Sequence, residues 1–519
     1  MPTARTSRAA PSSAKGATTS SASPACPRHH RVLVRAIPAV WTFLFGLWGL
    51  SRQGSVWRDE AATWQVAQRS PSEIVHMLGN VDVVHGCYYL FMHALFACFG
   101  PGTTTLRLPS VLAAAVAAAC VGAIGHRLAG PWAGLAGGLA FGLLPAVQFY
   151  LQEGRPYALV AAGAGISTLL LVVLLQGRGP GGRGLGGRGL RGWHLTAHWA
   201  AYGGIVLMSG LLNWLSLLIL PAHMTTLIWS RADRGVWTRW TAASGVATAC
   251  ALPLVLFSRG QSAQVSWIPP LTWHMLTGPA VLLAIGGAGA LLDRPRAGRL
   301  SAAVVGLPLL AVPQLALIAL SLVQPLFLDR YILFSLLGLA LLIGTAVGAA
   351  IRAATPRFPR ASRWILPVAI AAAMAALLPQ ALAKRSPASR VDDVLAVTSD
   401  IRRLKETGNA VLFIPSARRD TESVTPGAFT GLRDIALTRS PRDSGTLKGT
   451  EAAPARIRAA MLAERRILLV TDAPQVAREP GAERDKVKSA VLREHFRAIA
   501  DAQVRGRRVT LYERRAPAH

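Results

Sequence analysis

The sequence is short of charged residues, and acidic residues are the scarcest of them. Charged residues make up 15% of the 519 residues, whereas a soluble globular domain carries about 25%. Asp and Glu together number 25 against 55 Lys and Arg, which gives a formal net charge of +30. A single water-soluble globule needs a more heavily charged surface, so the composition disfavours that class of protein.

Cysteine is also scarce, and its spacing carries no signal. The chain has five Cys residues, none after Cys250, and no CxxC pair. A disulfide-stabilised scaffold and a cysteine metal cluster are therefore excluded. Apolar residues reach 52%, which excludes disorder for most of the chain. These absences leave a polytopic membrane protein with an additional domain attached.

The acidic residues divide the chain into two regions. Residues 384–519 hold 17 of the 25 acids and mix both signs of charge, as a water-facing domain does. Residues 32–383 form the predicted membrane domain. The Arg clusters there lie between apolar segments rather than along one face, which disfavours nucleic-acid binding. Residues 1–383 contain only eight acids: Asp59, Glu60, Glu73, Asp82, Glu153, Asp233, Asp293 and Asp329.

Long apolar segments recur along the first region. Residues 1–31 predict a disordered basic tail, and 36–50 a retained signal anchor. The segment 87–99 has only 13 residues, so we expect an interfacial helix there. With the anchor, ten further segments of near membrane-spanning length predict eleven spans: 106–125, 131–150, 157–176, 196–211, 214–230, 240–257, 272–292, 301–323, 328–351 and 364–382.

The Arg distribution predicts the orientation. If the N-terminus is cytoplasmic, the inner connections hold fifteen Arg and the short outer connections three, namely Arg155, Arg259 and Arg330. The positive-inside rule favours this arrangement. It places the first outer loop, 51–105, and the domain 384–519 outside the cell membrane. The Gly/Arg run at 178–192 then predicts a flexible inner loop, with anionic lipid binding as a secondary role.

The second region alternates helix and strand patterns, which predicts a small extracytoplasmic α/β domain. It contains neither a phosphate-binding loop nor a nucleophile elbow, so its chemistry stays open. We expect helices over 391–407, 453–465 and 485–500, and strands over 410–414, 466–471 and 508–513.

The adjacent acids Asp59 and Glu60, in the segment Trp57–Ala61, are the strongest catalytic candidates. Two acids just beyond the first span can supply a general base and a metal or hydrogen-bond partner. Neighbouring helical residues point in different directions, so only one of them can aim squarely at a substrate. The alternative is a helix N-terminus with solvated acids.

A second acid, Asp82, lies later in the same outer loop and could fold back towards the first. The alternative is a simple turn residue. His85 and Tyr88 follow it and are candidates for substrate binding. His85 and His93 are more typical of an interfacial location than of metal ligation.

Three Arg residues at outer helix ends are candidates for binding an anionic, lipid-linked substrate. Arg155 precedes Tyr157, Arg259 ends one segment, and Arg330 precedes Tyr331 at the start of another. Arg binds phosphate in a bidentate manner. The alternatives are interfacial anchoring and, for Arg155, pairing with the preceding acid.

Several of these segments resemble polytopic glycosyltransferases with the GT-C fold, most closely the family 39-like protein mannosyltransferases and related bacterial enzymes. The similarity covers about residues 36–383 and is most specific at the Asp-Glu pair. It rests on five motifs: 57–60 (WRDE), 82–89 (DVVHGCYY), 107–110 (RLPS), 152–158 (QEGRPYA) and 329–331 (DRY).

The resemblance implies an inverting enzyme that moves a sugar, mannose or similar, from a polyprenyl-phosphate donor to an acceptor at the outer membrane face. Asp59 matches the catalytic base and Asp82 the second loop acid, while Arg155 and Arg330 match positions suited to the donor phosphate. Many members need a divalent cation, so Mg²⁺ or Mn²⁺ bound by Glu60, Asp82 and the donor phosphate is implied.

Two other classes of function stay open. The protein mannosyltransferases carry a luminal domain that has no match here, so the acceptor, whether protein, glycan or lipid, is not identified. A transporter or flippase of a lipid-linked substrate would carry ionisable residues near mid-membrane, whereas these acids lie at loop edges. A non-catalytic envelope protein would use the tail domain for binding.

Overall fold

The structure is a computed structural model that describes residues 28–177, 193–261, 266–293, 300–406, 409–477 and 481–516. The predicted Gly/Arg loop at 178–192 and residues 1–27 of the predicted tail lie outside these ranges. Residues 28–31 were predicted as disordered, and that is wrong, because they are helical. The helix extends this far because no Gly or Pro interrupts 28–37.

Up to Arg385, the described residues are mainly helical. Short 3-10 turns precede several helices, at Arg52–Gly54, Val83–His85, Trp214–Leu218, Trp273–Leu276 and Asp329–Ser335. The helices are α1 Arg28–Leu47, α2 Arg58–Ala67, α3 Pro71–Asn80, α4 Gly86–Phe99, α5 Thr103–Ala129, α6 Pro131–Leu143, α7 Pro145–Tyr150, α8 Tyr157–Gln176, α9 Trp193–Leu212, α10 Ile219–Trp229, α11 Arg234–Arg259, α12 Thr277–Leu291, α13 Ala302–Ser321, α14 Leu336–Ala354, α15 Pro359–Ser362 and α16 Ile365–Arg385.

Within the described residues, eight helical segments are long and apolar enough to cross a membrane. They are Thr103–Ala129, Tyr157–Gln176, Trp193–Leu212, Arg234–Arg259, Trp273–Leu291, Ala302–Ser321, Asp329–Ala354 and Ile365–Arg385. The chain is therefore a multi-pass membrane protein. A helix also lies in each of the three other predicted segments, but the count of eleven spans stays a prediction.

The predicted span 131–150 is not one continuous helix. It breaks at Leu144, whose extended ψ of 128° separates α6 from α7. Pro145 causes the break, because a proline disfavours helical geometry at the residue before it. The predicted interfacial segment 87–99 corresponds to α4, in which Tyr88, Tyr89, Met92 and Phe96 are buried.

Glycines allow α6 and α14 to pack with their backbones in contact. A Cβ atom on Gly344 would lie 2.3 Å from the carbonyl oxygen of Ala133 and 2.5 Å from the amide nitrogen of Gly137. A Cβ on Gly137 would lie 2.9 Å from the carbonyl oxygen of Ala340. Small residues at such crossings let membrane helices approach closely. The close approach of α6 and α14 therefore requires glycine at these positions.

The tail forms a separate α/β unit on the side of the bundle that carries the first outer loop. Its five-stranded sheet has the order β2-β1-β5-β7-β6, with β1 parallel to β2 and β5, and β7 antiparallel to β5 and β6. Its elements are α17 Thr398–Leu404, β1 Ala410–Ile414, α18 Asp420–Val424, α19 Pro426–Phe429, β2 Arg433–Asp434, β3 Leu437–Arg439, β4 Thr450–Glu451, α20 Pro454–Ala463, β5 Arg466–Asp472, α21 Glu483–His495, β6 Phe496–Val504 and β7 Arg507–Arg514.

The predicted α/β tail is confirmed, with two local corrections. The helix predicted over 391–407 is limited to α17 in the described residues, because 390–394 is not helical and bonds to the chain that enters α2. Residue 407 lies outside the described ranges. The helix predicted over 485–500 ends at His495, and β6 follows at once. Pairing with β7, which runs from Phe496 to Val504 with one register shift between Ala498 and Ala500, outweighs the local helix preference of the alanines in β6.

We predict that Gly344→Ala destabilises the protein by about 1–3 kcal/mol, because the new methyl group meets backbone atoms that cannot turn aside. Gly287→Ala, on α12, is the matched control, since a Cβ there meets nothing within 4 Å. Thermal unfolding in detergent measures both variants. Equal melting temperatures for the two would contradict the tight crossing.

Candidate active site

Asp59 and Glu60 lie in the first turn of α2, and their side chains point to different environments. Trp57 is extended, with φ −97° and ψ 168°, and the helix begins at Arg58. Consecutive helical residues are rotated by about 100°. Glu60 is fully buried, whereas the Asp59 side chain keeps 23% of its surface exposed. Only Asp59 of the pair is therefore available to a substrate.

Two guanidinium groups surround the Glu60 carboxylate. Arg107 donates to it from Nε and Nη2, both at 2.7 Å, and Arg52 Nη2 lies 3.0 and 3.1 Å from its two oxygens. The backbone amide of Gly154 donates to Oε1 at 3.0 Å. Burial raises the pKa of Glu60, but Arg107 and Arg52 outweigh burial and lower it to about 2. Glu60 is therefore ionised, and we call these three side chains the Glu60 cluster.

Arg107 also holds the chain that connects α1 to α2. Its Nη1 donates to the carbonyl oxygens of Leu50 and Ser51, both at 2.9 Å, and its Nη2 donates to that of Ser55 at 2.5 Å. Arg52, in the same connection, has a left-handed φ of 47°. One buried side chain of α5 thus fixes both the path into α2 and its third residue, Glu60.

Asp59 pairs with Arg330 across the bundle. The Asp59 Oδ2 atom lies 2.8 Å from Arg330 Nη1. The Arg330 guanidinium lies over three aromatic rings, 5.4 Å from the centre of Trp267, 5.6 Å from Tyr331 and 5.7 Å from Tyr157. Cations are attracted to aromatic ring faces at such distances. The structure therefore brings together four residues that the sequence predicted for the site, and adds Trp267.

Asp82, His85 and Arg155 form a hydrogen-bonded chain. Arg155 Nη2 donates to His85 Nε2 at 2.9 Å, and His85 Nδ1 lies 2.6 Å from Asp82 Oδ1. Because Arg has no acceptor, Nε2 accepts and Nδ1 carries the proton. Burial and Arg155 lower the pKa of His85, in the direction of the neutral ring that this hydrogen-bond pattern requires. Tyr89 donates to the other Asp82 oxygen.

The same chain keeps Asp82 ionised in a strained loop. Asp82 has left-handed backbone angles of φ 61° and ψ 33°, which few residues other than glycine adopt, although Asn and Asp do so more often than most. Burial raises the pKa of its carboxyl, but His85 and Arg155 outweigh burial and lower it. Asp82 is therefore a turn residue, as the alternative interpretation had it, and its carboxylate also accepts hydrogen bonds from His85 and Tyr89 in the site.

Arg155 reaches α2 from the loop between α7 and α8. Its Nη1 lies 3.5 Å from the Asp59 carbonyl oxygen and 3.4 Å from Thr63 Oγ1. Thr63 donates in turn to the carbonyl oxygen of Gly154 at 3.1 Å. Arg155 is only 6% exposed. These contacts place Arg155 beneath α2 rather than in the open part of the site.

Glu153 is a second buried acid that the sequence analysis noted only as a neighbour of Arg155. It is fully buried, and the nearest ion-pair partner in the described residues is Arg390, 4.0 Å away. Its carboxylate oxygens have no hydrogen-bond partner among those residues. Burial is the largest effect and raises the pKa of Glu153 to about 7. The carboxyl is therefore close to half-protonated at neutral pH.

Other predicted substrate-binding residues occupy different positions. Tyr88 is fully buried within α4. Arg259 is exposed at the end of α11, and the described residues place no hydrogen bond or ion pair on it. Two residues further on, Gln261 accepts from the amide of Val83 at 2.9 Å, which ties this loop to the turn that bears Asp82.

The residues predicted to hold a cation do not fit one. Both Glu60 oxygens already accept from guanidinium groups. One Asp82 oxygen accepts from the His85 ring nitrogen and the other from the Tyr89 hydroxyl. A divalent cation needs several free oxygen ligands. Across the described ranges, no group of three or more His, Cys, Asp or Glu side chains is placed to hold a metal. The prediction of Glu60 as a catalytic or metal-binding acid also conflicts with its burial.

Arg52, Arg390 and a role for Arg107 escaped sequence analysis. Arg107 appeared only within the RLPS motif, without a partner. Its carboxylate lies 47 residues earlier in the chain, and the Arg390–Glu153 pair spans the two domains. These partners could have been sought from one feature of the sequence, the small number of acids in the membrane domain. Each acid that is buried there needs a basic partner, so the nearby Arg residues were candidates.

No known protein-family profile and no curated relative match the chain. Solved structures do match. ArnT from Cupriavidus metallidurans in the apo state has a TM-score of 0.59 at 13% identity, covering 92% of this chain and 97% of that one. ArnT from the same organism bound to undecaprenyl phosphate has a TM-score of 0.53 at 13% identity, with the same coverage. The predicted GT-C fold is confirmed, while the family 39-like assignment stays a prediction.

We predict that Glu60→Gln destabilises the protein by about 3–5 kcal/mol, because it leaves Arg52 and Arg107 buried without a counter-charge. Glu494→Gln, at a side chain that is 56% exposed, is the matched control and should change little. Unfolding in detergent at neutral pH measures both. A stable Glu60→Gln protein would show that the cluster is not structural.

The destabilisation caused by Glu60→Gln should depend on pH. Since the pKa of Glu60 falls from 4.5 to about 2 on folding, its contribution is complete above pH 4.5 and is lost as the pH falls towards 2. We therefore expect the stability difference between the unmodified protein and Glu60→Gln to shrink over that interval. A constant difference would contradict the lowered pKa.

Proposed function

We propose that this protein is an inverting membrane glycosyltransferase that takes a sugar from a polyprenyl-phosphate donor, with Asp59 as the base. The observation that carries the proposal is the Asp59–Arg330 pair. A partly exposed carboxylate lies 2.8 Å from a guanidinium at the edge of a membrane helix. Such a pair combines a proton acceptor with a phosphate-binding cation.

The shared fold supports the choice of donor. ArnT, which has the same fold, has been solved with undecaprenyl phosphate, a polyprenyl phosphate, bound to it. In this chain, Arg330 lies in the 3-10 turn Asp329–Ser335, at the end of an apolar segment long enough to cross a membrane. A lipid headgroup would be within its reach there. Mannose or a similar sugar is the one implied by the sequence resemblance.

The reaction needs one base and no general acid. Asp59 takes the proton of the acceptor hydroxyl, and the acceptor oxygen forms a bond to the anomeric carbon. The bond from that carbon to the phosphate oxygen breaks on the opposite face, which inverts the configuration. Polyprenyl phosphate leaves as a stable anion, so its oxygen needs no proton, unlike the leaving group of a glycosidase.

Arg330 has two successive partners in this scheme. Without donor, its guanidinium pairs with Asp59. A donor phosphate offers a bidentate partner, which Arg330 contacts while the aromatic rings of Tyr157, Trp267 and Tyr331 keep its plane fixed. Charge that develops on the departing phosphate is stabilised there. Asp59 is thereby released to accept a proton.

Arg155 and the second loop acid act as positioning residues in this proposal. Arg155 contacts Thr63 and the Asp59 carbonyl, and its other terminal nitrogen is bonded to His85. Its guanidinium is therefore committed to the protein, and the phosphate role passes to Arg330. Asp82 orients His85, and His85 orients Arg155. No step in this scheme uses a cation.

The location of the reaction remains part of the proposal. The prevalence of Arg in the predicted inner connections favours a cytoplasmic N-terminus and an extracytoplasmic tail domain. Both the site and the tail lie on the side of the first outer loop, so the acceptor would approach from outside.

We predict that Asp59→Asn lowers transfer by about 10²–10⁴-fold, because the amide cannot accept the hydroxyl proton. The assay supplies radiolabelled polyprenyl-phosphate sugars to the protein in lipid nanodiscs with native envelope extract as acceptor. Asp233→Asn is the matched control, since Asn caps a helix as well as the Asp at the start of α11.

The outcomes separate the three classes of function. Loss of transfer in Asp59→Asn with normal folding supports the enzyme. Transfer that survives in Asp59→Asn would remove this residue as the base. Donor that crosses the bilayer without losing its sugar would indicate a flippase, and tight retention of envelope polymer without turnover would indicate a binding protein.

We predict that Arg330→Lys lowers kcat/KM by about tenfold, and Arg330→Gln by more. Lysine keeps the positive charge but loses the planar, bidentate group that stacks on the aromatic rings. Arg360→Lys, an exposed position in α15, is the control. Equal activity of Arg330→Lys and the unmodified enzyme would exclude a bidentate phosphate contact.

A further inference from the structure

Residues 390–394, which we call the strap, lie along the chain that enters α2. The Val394 amide donates to the Val56 carbonyl at 2.7 Å. The Val56 amide donates to Asp393 Oδ1 at 3.2 Å, and the Arg58 amide to Asp392 Oδ1 at 3.3 Å. The first amides of a helix have no partner within it. The strap therefore supplies acceptors to the segment immediately before Asp59.

Asp392 joins the strap to the tail sheet. It is 1% exposed, and its Oδ2 lies 3.3 Å from Arg58 Nε and 2.9 Å from Arg507 Nη2. Arg507 opens β7 and is itself fully buried. A carboxylate from the strap thus holds one cation from α2 and one from the tail.

The charges around Asp392 balance. Arg507 also pairs with Asp420 at 2.7 Å, and Arg418 lies 3.2 Å from both Asp420 and Asp472. With Arg58 and Asp392 this makes three cations and three anions. Buried charges are tolerated only in such mutual pairing, and loss of one member leaves its partners uncompensated. The network is therefore sensitive to a change in any one charge.

The network occupies the part of the tail where α/β domains usually bind ligands. Asp472 is the last residue of β5, and Arg418 follows shortly after the end of the parallel strand β1. Ligands of α/β sheets bind outside the carboxyl ends of parallel strands. Here Arg58 of the membrane domain reaches that edge, 3.3 Å from Asp392. At the edge where other α/β domains bind a ligand, the tail therefore binds the side chain of Arg58.

The strap also contacts α7 and the loop that follows it. Arg390 Nη2 donates to the Phe149 carbonyl at 2.9 Å, and its guanidinium lies 3.3 Å from the centre of the Phe149 ring. The same nitrogen is 4.0 Å from the buried Glu153. The strap is thus fixed at Arg390 as well as at Asp392, with α2 and the Glu153 loop on either side.

We propose that the tail domain positions the base, and that Asp392 is the positioning residue through which it acts. Asp392 holds the amide and the side chain of Arg58, the residue directly before Asp59. Arg330 and the Glu60 cluster fix α2 from the membrane side, and Asp392 fixes it from the tail side. This inference rests on the proposed function, because it assigns Asp392 a part in the same transfer.

The test is Asp392→Asn in the full chain, reconstituted in nanodiscs. Oδ1 and Oδ2 of Asp392 both accept from N–H groups. In either orientation of the Asn side chain, its NH₂ group replaces one of these acceptors and faces an N–H donor, so at least one hydrogen bond is lost. We expect kcat to fall about 10–100-fold, since small misplacements of a catalytic group cost this much. KM for the donor should not change, because Arg330 keeps its surroundings.

Hydrogen exchange provides a readout that does not need activity. We expect faster amide exchange in peptides covering 52–66 of Asp392→Asn, and unchanged exchange in α20 of the tail, which contributes no residue to the network. Asp501→Asn is the matched control, because Asp501 pairs with Arg508 at 2.8 Å in the same domain but is 40% exposed and lies on the outermost strand. It should alter neither kcat nor exchange at 52–66.

The outcomes separate the two proposals. Faster exchange at 52–66 with unchanged kcat, or unchanged exchange with any kcat, would overturn the positioning role. If Asp392→Asn fails to fold, Arg58→Gln replaces it, because that side chain is 32% exposed and its loss leaves the Asp392–Arg507 pair intact. An inactive unmodified protein would overturn the proposed function, while the exchange rates would still test the grip on α2.

Discussion

The buried ion pair between Glu60 and Arg107 is the interaction on which the rest of this structure depends. A carboxylate with no solvent contact is expensive to bury, and two guanidinium groups and a backbone amide compensate it. The same guanidinium of Arg107 holds the connection from α1. Because Glu60 is fixed inward, its neighbour Asp59 is fixed outward. The direction of the proposed base therefore follows from the burial of the residue beside it.

Three separate parts of the chain meet at α2. Arg330, from the start of the last long buried helix, contacts the Asp59 side chain, and Arg155, from the loop after α7, contacts its backbone. The strap contacts the residue before it. Each contact is made by a charged group, and each charged group has a second partner elsewhere. A short helix of ten residues is thereby held with a rigidity that its own hydrogen bonds do not provide.

Local patterns in the sequence predicted much of this architecture. The strand at 410–414 matches the observed one, and every predicted apolar segment contains a helix. The adjacent acids after the first helix, together with Asp82, Arg155 and Arg330, pointed to the site. Local patterns did not predict contacts between residues that are far apart in the sequence. The partners of Glu60, the inward position of Arg155 and the grip of Asp392 on Arg58 depend on tertiary packing, as does the change from helix to strand at Phe496, which pairing with β7 decides.

The contact between Arg58 and Asp392 joins residues 334 positions apart. Chains are synthesised from the N-terminal end, and early segments fold before later ones exist. The loop that bears the proposed base is therefore made near the beginning, yet it acquires its final neighbours only after all the membrane helices and the greater part of the tail have followed. Until then Arg58 has no counter-charge from the strap. Competence for transfer would consequently be one of the last properties that a nascent molecule gains, so an incompletely translated product would carry the base without its final support.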